Sequence, residues 1–161
     1  MARTKNLMAA INILIAAPHW KDVPQVKAKI GQAAASALAA EGQAGRELNI
    51  LLSDDESVRA LNSRFRHIDK PTNVLSFPAV SEQGGSVGDI ILGYETIERE
   101  AREQNKAFLH HAQHLTVHGV LHLLGFDHEN EDDAEEMESL ETKLCLGLGI
   151  KDPYQDPETG N

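Results

Sequence analysis

The sequence predicts a single α+β domain, residues 1–161, in which a small mixed four-stranded sheet is packed with about five helices. Three observations carry that reading. The length of 161 residues suits one domain with a real core. Hydrophobic residues at 41% and charged residues at 25% describe an ordinary globular chain, neither disordered nor membrane-embedded. Short period-two apolar runs alternate irregularly with stretches of helical period, which fits a mixed sheet better than a regular βα repeat.

In chain order, Arg3 and Lys5 precede an apolar run, Leu7 to Ala17, that superficially resembles a secretory leader. Asn12 interrupts the run while Ile11, Ile13 and Ile15 alternate, so a first strand is expected. Pro18 to Pro24 reads as a turn, and Val26 to Ala40, rich in Ala, Lys and Gln, as a helix closed by Gly42 and Gly45. Glu47 to Leu52 is a second strand. Ser53, with Glu56 three residues on, offers a capping box for a short helix ending near Phe65. Asn73 to Phe77 and Asp89 to Leu92 complete the strands, with the Gly-rich segment Glu82 to Gly88 expected as a loop. Helices follow over Glu95 to Lys106, His110 to Leu124 and Asp132 to Leu146, and residues from about 155 to 161 form a short flexible tail.

The charge balance restricts function. Fifteen Lys and Arg against twenty-five Asp and Glu give a net charge of -10, which opposes bulk electrostatic binding to nucleic acid but leaves room for a local basic patch. Much of the excess falls between Asp127 and Glu141, where most acidic side chains are expected on a solvated helix face. Cys145, the single cysteine, permits no intrachain disulfide and sits among apolar residues, so a buried inert thiol and a reducing compartment are expected. No apolar run approaches the ~20 residues needed to span a bilayer.

The strongest signal is the segment His118-Gly119-Val120-Leu121-His122-Leu123-Leu124-Gly125-Phe126-Asp127-His128. Residues four apart lie one helical turn apart on one face, so His118 and His122 point toward a common ion. Gly125 lets the chain turn out of the helix and return His128 as a third ligand. Three imidazoles leave an open position, the pattern of a catalytic rather than a closed structural zinc, with one ion per chain. The spacing is that of a zincin-like metal helix, except that the Glu expected after the first His is Gly119. That Glu is the general base of zinc proteases, and its absence opposes peptide hydrolysis. His111 and His114 extend the same helix face as groove-lining or supporting residues, whereas His19, His67 and His110 are expected in solvent.

With these residues in view, the sequence resembles the YbeY family of rRNA maturation factors. The likeness runs through Leu61-Asn62-Ser63-Arg64-Phe65-Arg66, Lys70-Pro71-Thr72-Asn73-Val74-Leu75-Ser76-Phe77-Pro78, Gly88-Asp89-Ile90, His118 to His128 and Asp152-Pro153-Tyr154. It covers roughly Glu47 to Tyr154, and the first forty residues share only the pattern. The resemblance implies a cytoplasmic, zinc-dependent, single-strand-specific endoribonuclease acting in 16S rRNA 3′-end maturation and ribosome quality control. By position it implies His118, His122 and His128 as metal ligands and Arg66 as the functional arginine.

The expected chemistry follows from these side chains. A metal polarises the phosphodiester and acidifies a water, and the Arg66 guanidinium forks onto phosphate oxygens. Arg59, Arg64 and Lys70 form a local basic segment with Arg66 and are candidate substrate contacts, as is His114; surface ion pairing is the competing role for the arginines. Asp127 is a candidate proton acceptor or a hydrogen-bond partner that orients an imidazole. Asn73, Ser76 and Phe77 either touch RNA or simply pack their strand. Single-stranded rRNA is the expected partner, helped by ribosomal proteins or assembly factors, with neither DNA nor membrane involved. Two other functions compete. A zinc peptidase with an unusual base would be exposed by a casein or peptide assay, and an assembly factor with a purely structural zinc would unfold on metal removal.

Overall fold

The computed structural model describes residues 10–79, 85–127 and 129–154. Its element order is β1 (Ile11–Ile15), α1 (Val26–Ala40), β2 (Glu47–Ser53), α2 (Asp55–Arg66), β3 (Val74–Pro78), β4 (Ser86–Gly93), α3 (Tyr94–Glu103), α4 (Phe108–Leu123) and α5 (Glu131–Gly147), with a 3₁₀ turn at Pro18–Asp22. The expected α+β domain with four strands and five helices is present. The sheet order is β1-β2-β4-β3, parallel except for the antiparallel β3–β4 pair. The isoleucine alternation at the N-terminus is indeed strand β1, paired with β2 from Ile11–Leu48 to Ile15–Leu52. Residues 1–9 and the expected tail at 155–161 lie outside the described residues.

Alternation along β2 sends Leu48, Ile50 and Leu52 to one side, where they join Ile90 and Leu92 of β4 and bury against α1 and α4. Alanines 33, 34 and 37 on α1 let the helices approach closely, and all three are buried. The opposite face carries a smaller cluster, Val58, Leu75 and Ile91, beneath α2. Burying each such Leu, Ile or Val contributes about 1.5–3 kcal/mol, so the aliphatic core compensates for the scarcity of aromatic residues. Trp20 anchors the turn after β1 by donating its indole N–H to the Ser53 carbonyl at 2.8 Å and packing on Tyr94 and Phe108.

Four boundaries differ from expectation. Strand β2 continues through Ser53, which pairs with Gly93, so Ser53 is not the cap of α2 and no capping box with Glu56 forms. Asp54 takes that place and accepts the Ser57 N–H at 2.8 Å. Strand β4 starts at Ser86, so the end of the glycine-rich segment is strand; the glycine at 88, with φ of +134°, lies so close to β3 that a Cβ there would come within 2.3 Å of the Phe77 carbonyl oxygen. Residues 80–84 lie outside the described residues. Helix α3 ends at Glu103 rather than Lys106, because Asn105 adopts a positive φ, and α4 begins two residues early at Phe108.

Two contacts fix the elements that carry the site. The N-termini of α2 and α3 cap each other: Asp55 accepts from the Thr96 N–H at 3.0 Å and its hydroxyl at 2.8 Å, while Glu95 accepts the Asp55 N–H at 3.1 Å. Ser76 of edge strand β3 donates its hydroxyl to the Gly119 carbonyl at 3.2 Å, tying β3 to the middle of α4.

Candidate metal centre and RNA cleft

Helix α4 carries His111, His114, His118 and His122 at steps of three, four and four, so their rings run down one face. The His118 and His122 rings stand edge-to-face with centroids 4.6 Å apart, as the one-turn spacing requires. The helix then stops as the sequence requires: the Gly125 and Phe126 N–H groups donate back to the His122 and Leu121 carbonyls, a Schellman closure, with the glycine at φ +101°. His128 itself lies outside the described residues. Among the described residues no cluster of three His, Cys, Asp or Glu side chains is assembled to hold a metal. The pair His118–His122 nevertheless brings two imidazoles together, the donor type that suits zinc.

Position 119 is crowded. A Cβ on Gly119 would lie 3.1 Å from both Ile90 Cδ1 and Ser76 Oγ, which would have to shift by a few tenths of an ångström, so the helix rests close on the sheet where a zinc protease would carry its glutamate.

Arg66 reaches the same cleft from the opposite wall. It ends α2, donates from Nη2 to the Ser76 carbonyl at 2.9 Å and lies over the Phe77 ring at 5.7 Å. A cavity of about 400 Å³ is bounded by Arg66, Thr72, Asn73, Val74, Ser76 and Pro78 on one side and His118, His122 and Leu123 on the other. The expected meeting of Arg66 with the histidine pair is therefore realised, although some fifty residues separate them in sequence.

The other candidates are distributed differently. Arg59 forms a two-pronged ion pair with Asp69 on the surface, at 2.7 and 3.1 Å. Arg64 is exposed and lies over its neighbour Phe65, and Lys70 is exposed, its carbonyl accepting from Asn62. His114 is buried, and burial holds its imidazole below the ordinary histidine value. Asp127 lines a separate depression with Glu41 and Asp133 and accepts the Glu129 N–H at 3.3 Å.

Two carboxylates behind the histidines escaped the sequence reading. Glu100 of α3 hydrogen-bonds His111 at 3.0 Å and accepts from Asn73 at 2.9 Å; burial pushes its pKa up, but these two bonds outweigh it and hold it below the ordinary value. Glu141 of α5 is fully buried, which corrects the expectation of a solvated acidic face at this one position. Its Oε1 accepts from His118 Nδ1, its Oε2 accepts the Tyr154 hydroxyl, and His114 Nε2 lies 3.6 Å away. Burial alone would raise this carboxyl, yet the contacts with His114 and His118 and the Tyr154 hydroxyl lower it to about 2. A signal was present: Met137, Glu141 and Cys145 recur every fourth residue on the buried stripe of α5, so the acid interrupts an apolar face.

The YbeY family profile, described as Endoribonuclease YbeY, matches residues 16–149. The chain belongs to the YbeY family. Proteins named Endoribonuclease YbeY from Bradyrhizobium diazoefficiens and Rhodopseudomonas palustris are 48% and 43% identical to it, covering 96% and 98% of this chain and 92% and 99% of theirs. A Thermotoga maritima protein solved in solution shares the architecture, with a TM-score of 0.59 and 28% identity over 90% of this chain and 99% of that one. YbeY membership supports an RNA endonuclease function, in agreement with a cleft that sets the His118 and His122 imidazoles opposite the Arg66 guanidinium. Among the described residues, no helix is long and apolar enough to cross a membrane.

Proposed function

We propose that the chain is a zinc-dependent, single-strand-specific endoribonuclease of the cytoplasm that matures the 3′ end of 16S rRNA and serves ribosome quality control. In this reading His118, His122 and His128 hold one zinc ion per chain. The observation that carries it is the shared cleft, with Arg66 on one wall and His118 and His122 on the other.

When bound, the metal would supply Lewis-acid polarisation of the phosphodiester and a water acidified toward pH ~7. Arg66, steadied by the Ser76 carbonyl and the Phe77 ring, presents the remaining guanidinium N–H groups to a phosphate and stabilises the charge that develops on its oxygens. Arg64 and Lys70, exposed near the same end of α2, are placed to meet flanking phosphates. Arg59, held by Asp69, and buried His114 serve the scaffold in this account. Asp127, next to His128 in sequence, orients an imidazole through a hydrogen bond or accepts a proton from water in this reading. An acidic protein does not embrace a duplex along its length, so an unpaired strand, presented with the help of ribosomal proteins or assembly factors, is the proposed substrate. The peptidase alternative is disfavoured by Gly119 itself, which supplies no general base, and by the close packing of Ile90 and Ser76 against that position.

The test is Arg66→Ala. It should keep its zinc and melting temperature while cleavage of unpaired RNA falls by roughly two to three orders of magnitude, the scale of one lost oxyanion donor. Arg66→Lys should restore only part of the rate, since an ammonium lacks the fork. Cleavage at the parental rate by Arg66→Ala at matched salt would sink the mechanism.

A further inference from the structure

A fully buried carboxylate needs a reason, because desolvation of an ion costs several kcal/mol unless every oxygen is paired. Glu141 sits mid-way along α5, in line with buried Met137 and Cys145, where an aliphatic residue would pack without that cost. Both of its oxygens are engaged. Oε1 accepts from His118 Nδ1 and Oε2 accepts from the Tyr154 hydroxyl. A carboxylate only accepts hydrogen bonds, so the contact fixes which His118 nitrogen bears the proton.

We propose that Glu141 is the positioning residue of the metal centre: it holds the proton of neutral His118 on Nδ1, so that Nε2 carries the lone pair, and is itself held in register by the Tyr154 hydroxyl. The inference rests on the reading of His118 as a ligand. Helix α5 thus acts on the cleft from behind, and the segment after it, through Tyr154, becomes part of the same device. Tyr154 is 45% exposed as a residue, yet its hydroxyl reaches inward to the carboxylate and its ring packs edge-on against His114, so the C-terminal segment latches onto the back of the site. Carboxylate partners of metal-binding imidazoles fix ring orientation and raise donor strength, and their loss typically weakens metal binding about 10- to 100-fold.

The experiment uses the full chain, with zinc as the probe. In the metal-free parent at a pH above the imidazole range, nitrogen-detected NMR of the histidine rings should show a protonated, pyrrole-type Nδ1 on His118. Glu141→Gln should lose that tautomer preference and bind zinc about 10- to 100-fold more weakly in competition with a chromophoric chelator. Tyr154→Phe removes only the latch and keeps the buried carboxylate, so it should weaken zinc toward the lower end of that range without unfolding the chain. A parent whose His118 carries its proton on Nε2 overturns the proposal, as does Tyr154→Phe or folded Glu141→Gln binding zinc as the parent does. If the buried amide prevents folding, the parent tautomer and Tyr154→Phe decide. These outcomes are separate from failure of the zinc assignment itself, which would appear as a parent that binds no zinc at all.

Discussion

Helix α4 presents two histidine–carboxylate pairs, at His111 and His118, seven residues and two helical turns apart, and their surroundings differ. His111 meets Glu100 of α3 with the histidine side chain 5% exposed and the carboxylate also held by Asn73. His118 meets Glu141 of α5, but its side chain is 20% exposed and its ring borders the cleft opposite Arg66. The chemistry of the two pairs is alike. What separates them is the surroundings: the first pair ties α3 and α4 to Asn73 at the start of β3, whereas the second has its carboxylate on α5 behind it and borders the cavity that Arg66 also lines. Under the proposed function, a His–Glu pair is thus a brace or part of a site according to which elements surround it.

The sharpest way to break this comparison is to truncate each histidine. His118→Ala should lose most of its zinc and nearly all RNA cleavage, and also some stability because buried Glu141 loses a partner, whereas His122→Ala should lose zinc and cleavage with its melting temperature little changed; elemental analysis beside a melting curve reads both. His111→Ala should retain zinc yet lose about 1–3 kcal/mol of stability, because it leaves the partly buried Glu100 without its partner. Zinc loss in His111→Ala with an unchanged melting temperature would erase the distinction.

A smaller effect sharpens it through pH. The Glu100 carboxyl is held below its ordinary value of 4.5, so its contribution is complete above that value, where folded and unfolded chains are both ionised. As pH falls, the unfolded chain takes up the proton first, and the contribution disappears as Glu100 itself becomes protonated. The stability gap between the parent and Glu100→Gln should therefore narrow on acidification below about pH 4.5, with zinc content at neutral pH the same in both. A gap that widened with acid would contradict the assignment of Glu100 as a structural ion.

The same logic separates two arginines of α2. Arg59 spends its guanidinium on Asp69 in solvent, an exposed pair of the kind that contributes little, so Arg59→Ala should cut RNA close to the parental rate. The smallest effect is expected at Cys145, whose thiol burial pushes up to about 12; it should resist alkylation at pH 8 in the folded chain and react once denatured.

Much of this was legible beforehand, for identifiable reasons. The period of Ile11, Ile13 and Ile15 and the i, i+4 spacing of His118 and His122 are local properties of strand and helix, so the sequence displays them directly. Gly125 announced the helix exit because few other residues tolerate its φ. Ser53 misled because an N-cap preference is shared with Asp54 next to it, and sheet pairing with Gly93 decided between them. Glu141 was missed for a different reason. Its partners His118 and Tyr154 come from other segments, and a string of acidic neighbours disguised the single one that turns inward. Distance in sequence likewise hid the Asn73–Glu100–His111 chain: Asn73 and His111 were legible as strand-packing and groove-lining residues, but their shared partner Glu100 was not until β3, α3 and α4 converge.

The central claim is that the cleft between Arg66 and the α4 histidines is a metal-dependent RNA-cutting site. It is tested most directly by incubating the purified protein with unpaired RNA before chelation, after chelation, and after zinc is returned. Cleavage should vanish when elemental analysis shows the metal gone, with the fold retained by circular dichroism, and should return with zinc. Undiminished cleavage by folded, metal-free protein would contradict the account.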